Sequence, residues 1–267
     1  MNAAPNPARP PAPTRAATDR AWQALHEAAT TPYRRSGRFA WHFARGKLGR
    51  DPVFRSLVER GHLMHRARVV DIGCGQGLLA SLLQACADLH DDGHWPAGWQ
   101  RTSAVAYTGI ELMPRDVARA QAAIGTLPLA PQVVCADMRH AELPPCDLVV
   151  ILDVLHYVDH AAQAAVLQRV RQALMAGQDQ RHGEGRLLLR VGDAGRVQRY
   201  RISQWVDRVV TGVRGHRAPP TWGRPLAEWV ALLQGLGFAV RSLPMSQGTP
   251  FANVLLVADL RPVRAVA

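Results

Sequence analysis

The sequence contains few cysteines, no long apolar segment and almost no lysine. The four cysteines form no CxxC pair and have no histidine cluster near them, which excludes a disulfide framework and a zinc site. No run of about 18 apolar residues occurs, so no transmembrane helix is expected, and residues 1–13 lack the apolar segment of a secretory signal. These absences predict a cytoplasmic protein with reduced thiols, no bound metal and no membrane span. The cysteines are Cys74, Cys86, Cys135 and Cys146.

The basic residues are almost all arginines, and they are unevenly distributed. The formal net charge is +11, and Lys47 is the only lysine among the 32 basic residues. Residues 1–50 carry nine basic side chains against two acidic ones, and residues 186–224 carry nine more against two. Two basic segments on either side of a core could attract nucleic acid, an anionic substrate or an acidic carrier protein. The alternative is an ordinary solvated surface in an arginine-rich chain.

The composition divides the chain into a tail, a helical cap and a larger domain. Residues 1–17 are rich in proline and alanine and are predicted to be disordered. Residues 18–64 are predicted to form an N-terminal helical cap that contains a basic and aromatic stretch and an Asp-Pro helix start. Residues 65–267 are predicted to form the main domain, with residues 192–225 as a helical insert on the substrate side.

Within the main domain, apolar runs alternate with amphipathic helical segments. This alternation predicts βαβ units in an α/β, Rossmann-like doubly wound sheet with helices on both faces. The last two strands have no helix between them and therefore predict a C-terminal antiparallel β-hairpin, which brings the sheet to seven strands. The predicted strands are residues 68–72, 105–110, 132–136, 147–152, 187–191, 238–244 and 253–260. The predicted helices are residues 77–89, 114–124, 160–175 and 226–236.

A glycine-rich turn follows the first of these strands. Glycines at positions 73, 75 and 77 let the backbone turn sharply and approach a ligand closely, and the helix that opens there offers unpaired N–H groups. The dinucleotide fingerprint requires a glycine at the sixth position of G-x-G-x-x-G, where this chain has Leu78. The acidic residue just before the turn, Asp71, suits an ammonium group better than a phosphate. The turn therefore favours a ligand other than a dinucleotide.

Three further polar elements follow later strands of the predicted sheet. Glu111 ends the second strand, where a carboxylate can accept both hydroxyls of a ribose. Asp137 follows the third strand and could accept an adenine amino group, or it could simply cap the next turn. The segment 147–158 contains the fourth strand and Asp153. In open α/β sheets ligands bind at the carboxyl ends of the strands, so these elements predict one binding edge.

The succession DIGCGQG, GIE, AD and DLVVILDVLHYV resembles the cofactor-binding motifs of class I S-adenosylmethionine-dependent methyltransferases. The resemblance covers about residues 65–260 and includes the sheet with its terminal hairpin. It implies S-adenosylmethionine as the cofactor, with the glycine turn along the methionine part and Glu111 on the ribose. Asp137 and Met138 would flank the adenine, and Asp153 would lie near the methionine amino group. The implied cofactor-binding residues are Asp71, Gly73, Cys74, Gly75, Gly77, Glu111, Leu112, Asp137, Met138 and Asp153.

Catalysis is predicted at His156 and Tyr157, just beyond the fourth strand. A histidine suits a general base at neutral pH, although a packed helix-start histidine is the alternative. The chain lacks the Asn- or Asp-Pro-Pro-aromatic turn of nucleobase amino methylation, so small-molecule O- or C-methylation is favoured and nucleic acid is disfavoured. A narrower resemblance, in residues 33–54, is to methyltransferases of bacterial aryl-polyene and related pigment pathways, which implies an aromatic or carrier-bound acyl acceptor in secondary metabolism.

Two other hypotheses remain open. One is an RNA or protein methyltransferase that uses the basic flanks. The other is a module that binds the cofactor without catalysis.

Overall fold

Five apolar segments form parallel strands, and two more close the sheet as an antiparallel hairpin. The computed structural model describes residues 14–181, 184–193, 221–245 and 253–260. The strands are β1 (Ala67–Ile72), β2 (Ala104–Glu111), β3 (Gln132–Cys135), β4 (Leu148–Leu152), β5 (Gly185–Gly192), β6 (Phe238–Pro244) and β7 (Asn253–Leu260). Their order in the sheet is β3-β2-β1-β4-β5-β7-β6. The predicted α/β doubly wound sheet and its C-terminal hairpin are confirmed.

Helices connect the strands and form an N-terminal cap. The helices are α1 (Arg15–Thr30), α2 (Arg38–Arg50), α3 (Pro52–Glu59), α4 (Leu78–Asp91), α5 (Pro114–Ile124), α6 (His160–Arg181) and α7 (Leu226–Gly235), with 3-10 helices at Thr31–Ser36 and Leu155–Tyr157. No helix of the described residues is both long and apolar enough to cross a membrane.

The central strands are buried on both faces, which explains their nearly continuous apolar sequences. Because successive side chains of a strand point to opposite faces, Val69 and Val150 pack into one core cluster, whereas Val70 and Val149 pack into another. The first cluster includes side chains of α1 to α4, and the second includes side chains of α6 and α7. Helices therefore cover both sides of the sheet.

The cap begins earlier than the sequence predicted. Helix α1 starts at Arg15, and the Thr14 hydroxyl caps it by accepting a hydrogen bond from the Ala17 amide at 3.3 Å. The prediction of disorder through residue 17 was therefore wrong at its end, because Thr14 caps a helix that already begins at Arg15. Residues 1–13 lie outside the described residues.

The cap and the sheet share one hydrophobic core. Leu25 of α1, Leu48 of α2 and Leu57 of α3 are fully buried in the same cluster as Val69 of β1 and Leu188 of β5. The cap is also tied to the glycine turn, because the buried Tyr33 hydroxyl donates a 2.8 Å hydrogen bond to the carbonyl of Gln76. The predicted insert after β5 lies mostly outside the described residues, which end at Asp193 and resume at Thr221.

Candidate functional site

The glycine turn between β1 and α4 adopts a backbone conformation that favours glycine. Gly73, Gly75 and Gly77 have φ angles of 74°, 57° and 74°, and L-residues with side chains rarely adopt such angles. The Gly73 amide donates to the carbonyl of Ile110 at 2.7 Å, which joins the turn to the end of β2. A Cβ at Gly75 would have nothing within 4 Å, so this part of the turn faces open space.

Alanine substitutions at Gly73 and Gly75 should differ in their cost to stability, because the two sites have different surroundings. A Cβ at Gly73 would lie 2.5 Å from Cγ1 of Val154, whereas one at Gly75 would meet no atom. Both variants pay the cost of a positive φ, about 1–2 kcal/mol, but only Gly73→Ala adds overpacking, about 1–3 kcal/mol. We expect Gly73→Ala to lower the free energy of unfolding by about 2 kcal/mol more than Gly75→Ala in urea titrations. Equal losses would contradict the close packing of Val154 on the turn.

Glu111 links the glycine turn to the end of β2. Its Oε2 accepts a hydrogen bond from the Gly75 amide at 2.9 Å, and its Oε1 accepts one from the Met113 amide at 2.9 Å. Both carboxylate oxygens are thus oriented by the backbone at the carboxyl edge of the sheet. The neighbouring Leu112 is exposed and forms the outer side of this edge.

Asp71 is a buried carboxyl at the end of β1. It accepts a 2.7 Å hydrogen bond from the Tyr107 hydroxyl. Burial raises the pKa of Asp71 to about 7, although the bond from Tyr107 acts in the opposite direction. A cation placed beside this carboxyl would favour its charged form. Asp71 is therefore suited to an ammonium group.

Cys74 lies within the turn and is inert. Burial raises the pKa of its thiol far above the ordinary value, so the nucleophilic thiolate does not form near neutral pH. Its Sγ would lie 2.7 Å from a Cβ at Gly109. Cys74 thus fills space between the turn and β2.

Asp137 and Met138 lie at the same edge, beyond β3. The Asp137 carboxylate pairs with Arg139 at 2.6 Å and accepts its backbone amide at 2.8 Å. These hydrogen bonds hold the pKa of Asp137 below its ordinary value. The carbonyl of Met138 accepts a hydrogen bond from Arg169 of α6. Asp137 thus caps its own turn, and an adenine amino group would use the lone pairs that Arg139 leaves.

Asp153 belongs to a charge cluster that the sequence did not predict. Arg190 of β5 is 2% exposed and donates from Nε to Asp153 at 2.8 Å and from Nη2 to Asp51 at 2.7 Å. Lys47 pairs with Asp51 at 2.7 Å and lies 4.0 Å from Asp153. Although burial would raise the pKa of Asp51, the bonds and charges of Arg190 and Lys47 hold it well below its ordinary value.

The only sequence signal for this cluster was a charged residue inside an apolar strand, at Arg190. The cluster joins the cap, through Asp51 and Lys47, to the carboxyl ends of β4 and β5. Asp153 itself has a φ of 59°, a conformation that is uncommon outside glycine.

His156 lies on the 3-10 helix that follows β4 and Asp153. His156 is half-buried, and the centroid of its ring lies 4.2 Å from the centroid of the Tyr157 ring. Burial lowers the pKa of His156, and the charge of Asp153 only partly offsets this effect. The imidazole is therefore neutral near pH 7, which is the form that a general base requires, and burial at the same time weakens its affinity for a proton. The structure places His156 and Tyr157 next to Asp153.

Most of the predicted insert on the substrate side, residues 192–225, lies outside the described residues. Tyr200 and Trp205 belong to the undescribed part of the insert. Trp222 is described: its backbone amide donates to the carbonyl of His156 at 2.8 Å, and its ring packs edge-on against His160. In the described residues, no group of three or more His, Cys, Asp and Glu side chains could hold a metal ion.

Comparison with known proteins finds a methyltransferase-domain family and a curated synthase. The family model described as a methyltransferase domain matches residues 70–177. A curated relative, carboxy-S-adenosyl-L-methionine synthase of Chromohalobacter salexigens, is 29% identical over 125 residues, which cover 45% of this chain and 41% of the relative. The chain thus matches about two fifths of that relative's length.

Solved structures share the fold over most of the chain. One is magnesium protoporphyrin IX methyltransferase from Synechocystis PCC 6803 with bound S-adenosylhomocysteine, which has a TM-score of 0.52 at 18% identity. The match covers 92% of this chain and 100% of that protein's chain. Another is an S-adenosylmethionine-dependent methyltransferase from Mesorhizobium loti, which has a TM-score of 0.53 at 18% identity. The match covers 77% of this chain and 96% of that protein's chain. At these identities the likeness concerns the fold.

Proposed function

We propose that this protein transfers a methyl group from S-adenosylmethionine to oxygen or carbon of a small molecule, since residues 70–177 match a methyltransferase domain. The proposed acceptor is an aromatic compound or a carrier-bound acyl intermediate of secondary metabolism. The observation that carries the proposal is the single edge that gathers the glycine turn, Glu111 and the segment from Asp153 to Tyr157. In this proposal residues 65–267 are the catalytic domain, residues 18–64 cover the acceptor side, and the protein acts in the cytoplasm.

The residues at this edge fit S-adenosylmethionine. The turn at Gly75 leaves open space where a side chain would stand, which suits the methionine part of the cofactor. Glu111 presents an oriented carboxylate to the ribose hydroxyls, and Asp137 with Met138 would flank the adenine. In this proposal Asp71 and Asp153 would lie nearest the ammonium group, and Asp153 would share its charge between that group and Arg190. The cofactor supplies a sulfonium methyl group, which is a strong electrophile.

The protein's contribution to the reaction is alignment and removal of a proton. Holding the acceptor in line with the S–CH₃ bond provides most of the acceleration. A phenol or carbon acid must also lose its proton, and a neutral imidazole at His156 would accept it at a ring nitrogen. Burial keeps His156 in that neutral form. The ring of Tyr157, which is tilted by 48° against the imidazole, would orient it.

Calorimetric titration with S-adenosylmethionine, S-adenosylhomocysteine and NADH tests the proposed cofactor. We expect binding of the two sulfur nucleosides and none of NADH, because Leu78 replaces the third glycine of the dinucleotide fingerprint. Absence of binding by either sulfur nucleoside would overturn the proposed function. Binding without methyl transfer to any acceptor in a panel of hydroxylated aromatic acids would favour the non-catalytic module.

Replacing His156 with alanine tests the proposed base. Loss of a general base slows a reaction by about 10²–10⁴-fold, so we expect methyl transfer to a phenolic acceptor to fall by that amount while S-adenosylhomocysteine still binds. His94→Ala, which replaces an exposed histidine in the turn after α4, is the matched control and should keep its activity. If His156→Ala methylated the acceptor as fast as the wild type, His156 would have a packing role.

A further inference from the structure

The ammonium group of Lys47 lies at the carboxyl edge of the sheet, although Lys47 belongs to helix α2 of the cap. Its Nζ lies 2.7 Å from Oδ2 of Asp51 and 4.0 Å from Oδ2 of Asp153. The residue after Asp153 packs on the glycine turn so closely that a Cβ at Gly73 would lie 2.5 Å from Cγ1 of Val154. Lys47 therefore lies beside the turn that suits the methionine part of the cofactor.

Two cations meet in this cluster, and they differ in accessibility. Arg190 is 2% exposed, and its guanidinium donates to both Asp51 and Asp153. The side chain of Lys47 is 38% exposed. An ammonium group has three N–H donors, of which the contact with Asp51 occupies one. Lys47 is thus the cation of the cluster that can also donate to a ligand.

The glycine turn itself is poorly suited to a carboxylate. Four of the five amides from Gly73 to Gly77 already donate hydrogen bonds to groups of the turn or of β2; they are those of residues 73, 74, 75 and 77. The acidic side chains beside the turn, Asp71 and Glu111, would repel a second carboxylate. The methionine part carries a carboxylate as well as an ammonium group, so its negative end requires a cation from outside the turn.

From this arrangement we propose that Lys47 binds the carboxylate of the cofactor's methionine part while Asp153 accepts its ammonium group. The inference rests on the proposed function. The two charged groups of an amino acid are attached to one carbon atom, so the side chains that bind them must lie close together. Lys47 and Asp153 meet this requirement, because their charged ends are 4.0 Å apart and each has the charge opposite to that of its ligand group. The cap thereby contributes a residue to the cofactor site.

The charges of the cluster favour this assignment. Lys47 and Arg190 supply two positive charges, and Asp51 and Asp153 supply two negative ones, so the cluster is neutral by itself. The amino acid end of the cofactor is a zwitterion and adds no net charge. Binding therefore replaces the 4.0 Å contact between Lys47 and Asp153 with two ion pairs to the ligand, and no buried charge is left without a partner.

Decarboxylated S-adenosylmethionine tests the proposal, because it retains the ammonium and sulfonium groups and lacks only the carboxylate. Calorimetry measures the affinity of each nucleoside for the wild type and for Lys47→Met, which keeps an unbranched side chain and removes the charge. We expect the variant to bind S-adenosylmethionine at least about tenfold more weakly, the scale of losing a charge-assisted hydrogen bond. Its affinity for the decarboxylated form should fall by less than about twofold or should rise, because a repelling cation is removed.

Two controls accompany this measurement. Arg50 is exposed in the last turn of the same helix, so Arg50→Met removes an equal charge nearby and should leave both affinities within about twofold of the wild type. The second control is 5′-methylthioadenosine, which lacks the whole amino acid end. Lys47→Met should bind it as the wild type does, which shows that the variant is folded and keeps its nucleoside site.

Three outcomes would overturn Lys47 as the carboxylate ligand. They are unchanged affinity of Lys47→Met for S-adenosylmethionine, an equal loss for the decarboxylated form, and an equal loss in Arg50→Met. An equal loss for both nucleosides would mean that Lys47 acts only by holding the cap in place. Failure of the proposed function gives a different result, because a wild type that binds neither S-adenosylmethionine nor 5′-methylthioadenosine would overturn both proposals.

Discussion

Replacing Arg190 with methionine is expected to lower the free energy of unfolding by about 3–5 kcal/mol, the cost of removing one partner of a buried ion pair. Methionine retains much of the apolar stem but leaves Asp51 and Asp153 without their shared cation. Both carboxylates lie beside one another at the junction of the cap and the sheet. Urea unfolding, followed by circular dichroism, measures the loss.

A control on the same strand distinguishes the cluster from an ordinary ion pair. Arg186 is also on β5 and pairs with Asp259, but both side chains are more exposed than that of Arg190. Arg186→Met should cost only about 1 kcal/mol or less. The triple variant Arg190→Met/Asp51→Asn/Asp153→Asn should recover most of the loss, because it removes the uncompensated charges and an asparagine still caps α3. An Arg190→Met variant that is as stable as the wild type would contradict the role of the cluster.

The difference between wild type and Arg190→Met should depend on pH. The pKa of Asp51 in the folded protein is held below its ordinary value of 3.8. The stability that comes from this pairing is therefore fully present above about pH 4 and is lost as the pH falls through the folded-state pKa. In the variant only Lys47 remains beside the two carboxyls, so they favour the protonated form more than in the wild type. The two proteins should converge in stability toward acidic pH.

Replacing Glu111 with alanine is expected to weaken binding of S-adenosylhomocysteine by about 10–100-fold, which is the scale of losing charge-assisted hydrogen bonds. The carboxylate is oriented by the amides of Gly75 and Met113, so its removal deprives the ribose of a positioned acceptor and releases the glycine turn. Isothermal titration calorimetry measures the change.

Glu142→Ala is the matched control for Glu111→Ala. Glu142 is an exposed glutamate in the loop between β3 and β4, and its loss should leave the affinity within about twofold of the wild type. A Glu111→Ala variant that binds the nucleoside as tightly as the wild type would show that Glu111 only stabilises the turn. Unfolding measurements on the same variant separate that structural contribution from the loss of a ligand contact.

Local patterns were enough to predict the parallel strands and the polar residues that follow them. A strand buried on both faces is an uninterrupted apolar run, and the amphipathic helices between such runs require a parallel sheet. Because parallel strands end at one edge, the positions of Asp71, Glu111 and Asp153 follow from the strand ends alone. The start of α1 was missed because only one threonine, Thr14, distinguishes a capped helix from the end of a proline-rich tail.

The sequence by itself determined the sheet, its terminal hairpin and the glycine turn, because each depends on residues that are close together along the chain. Only the tertiary structure decided that Arg190 lies between Asp51 and Asp153, which are 139 and 37 residues away from it. Likewise, only the packing of the cap decided that Tyr33 anchors the glycine turn. Long-range pairs of charged side chains leave no periodic pattern in the sequence, since their geometry exists only after the core that separates them from water has formed.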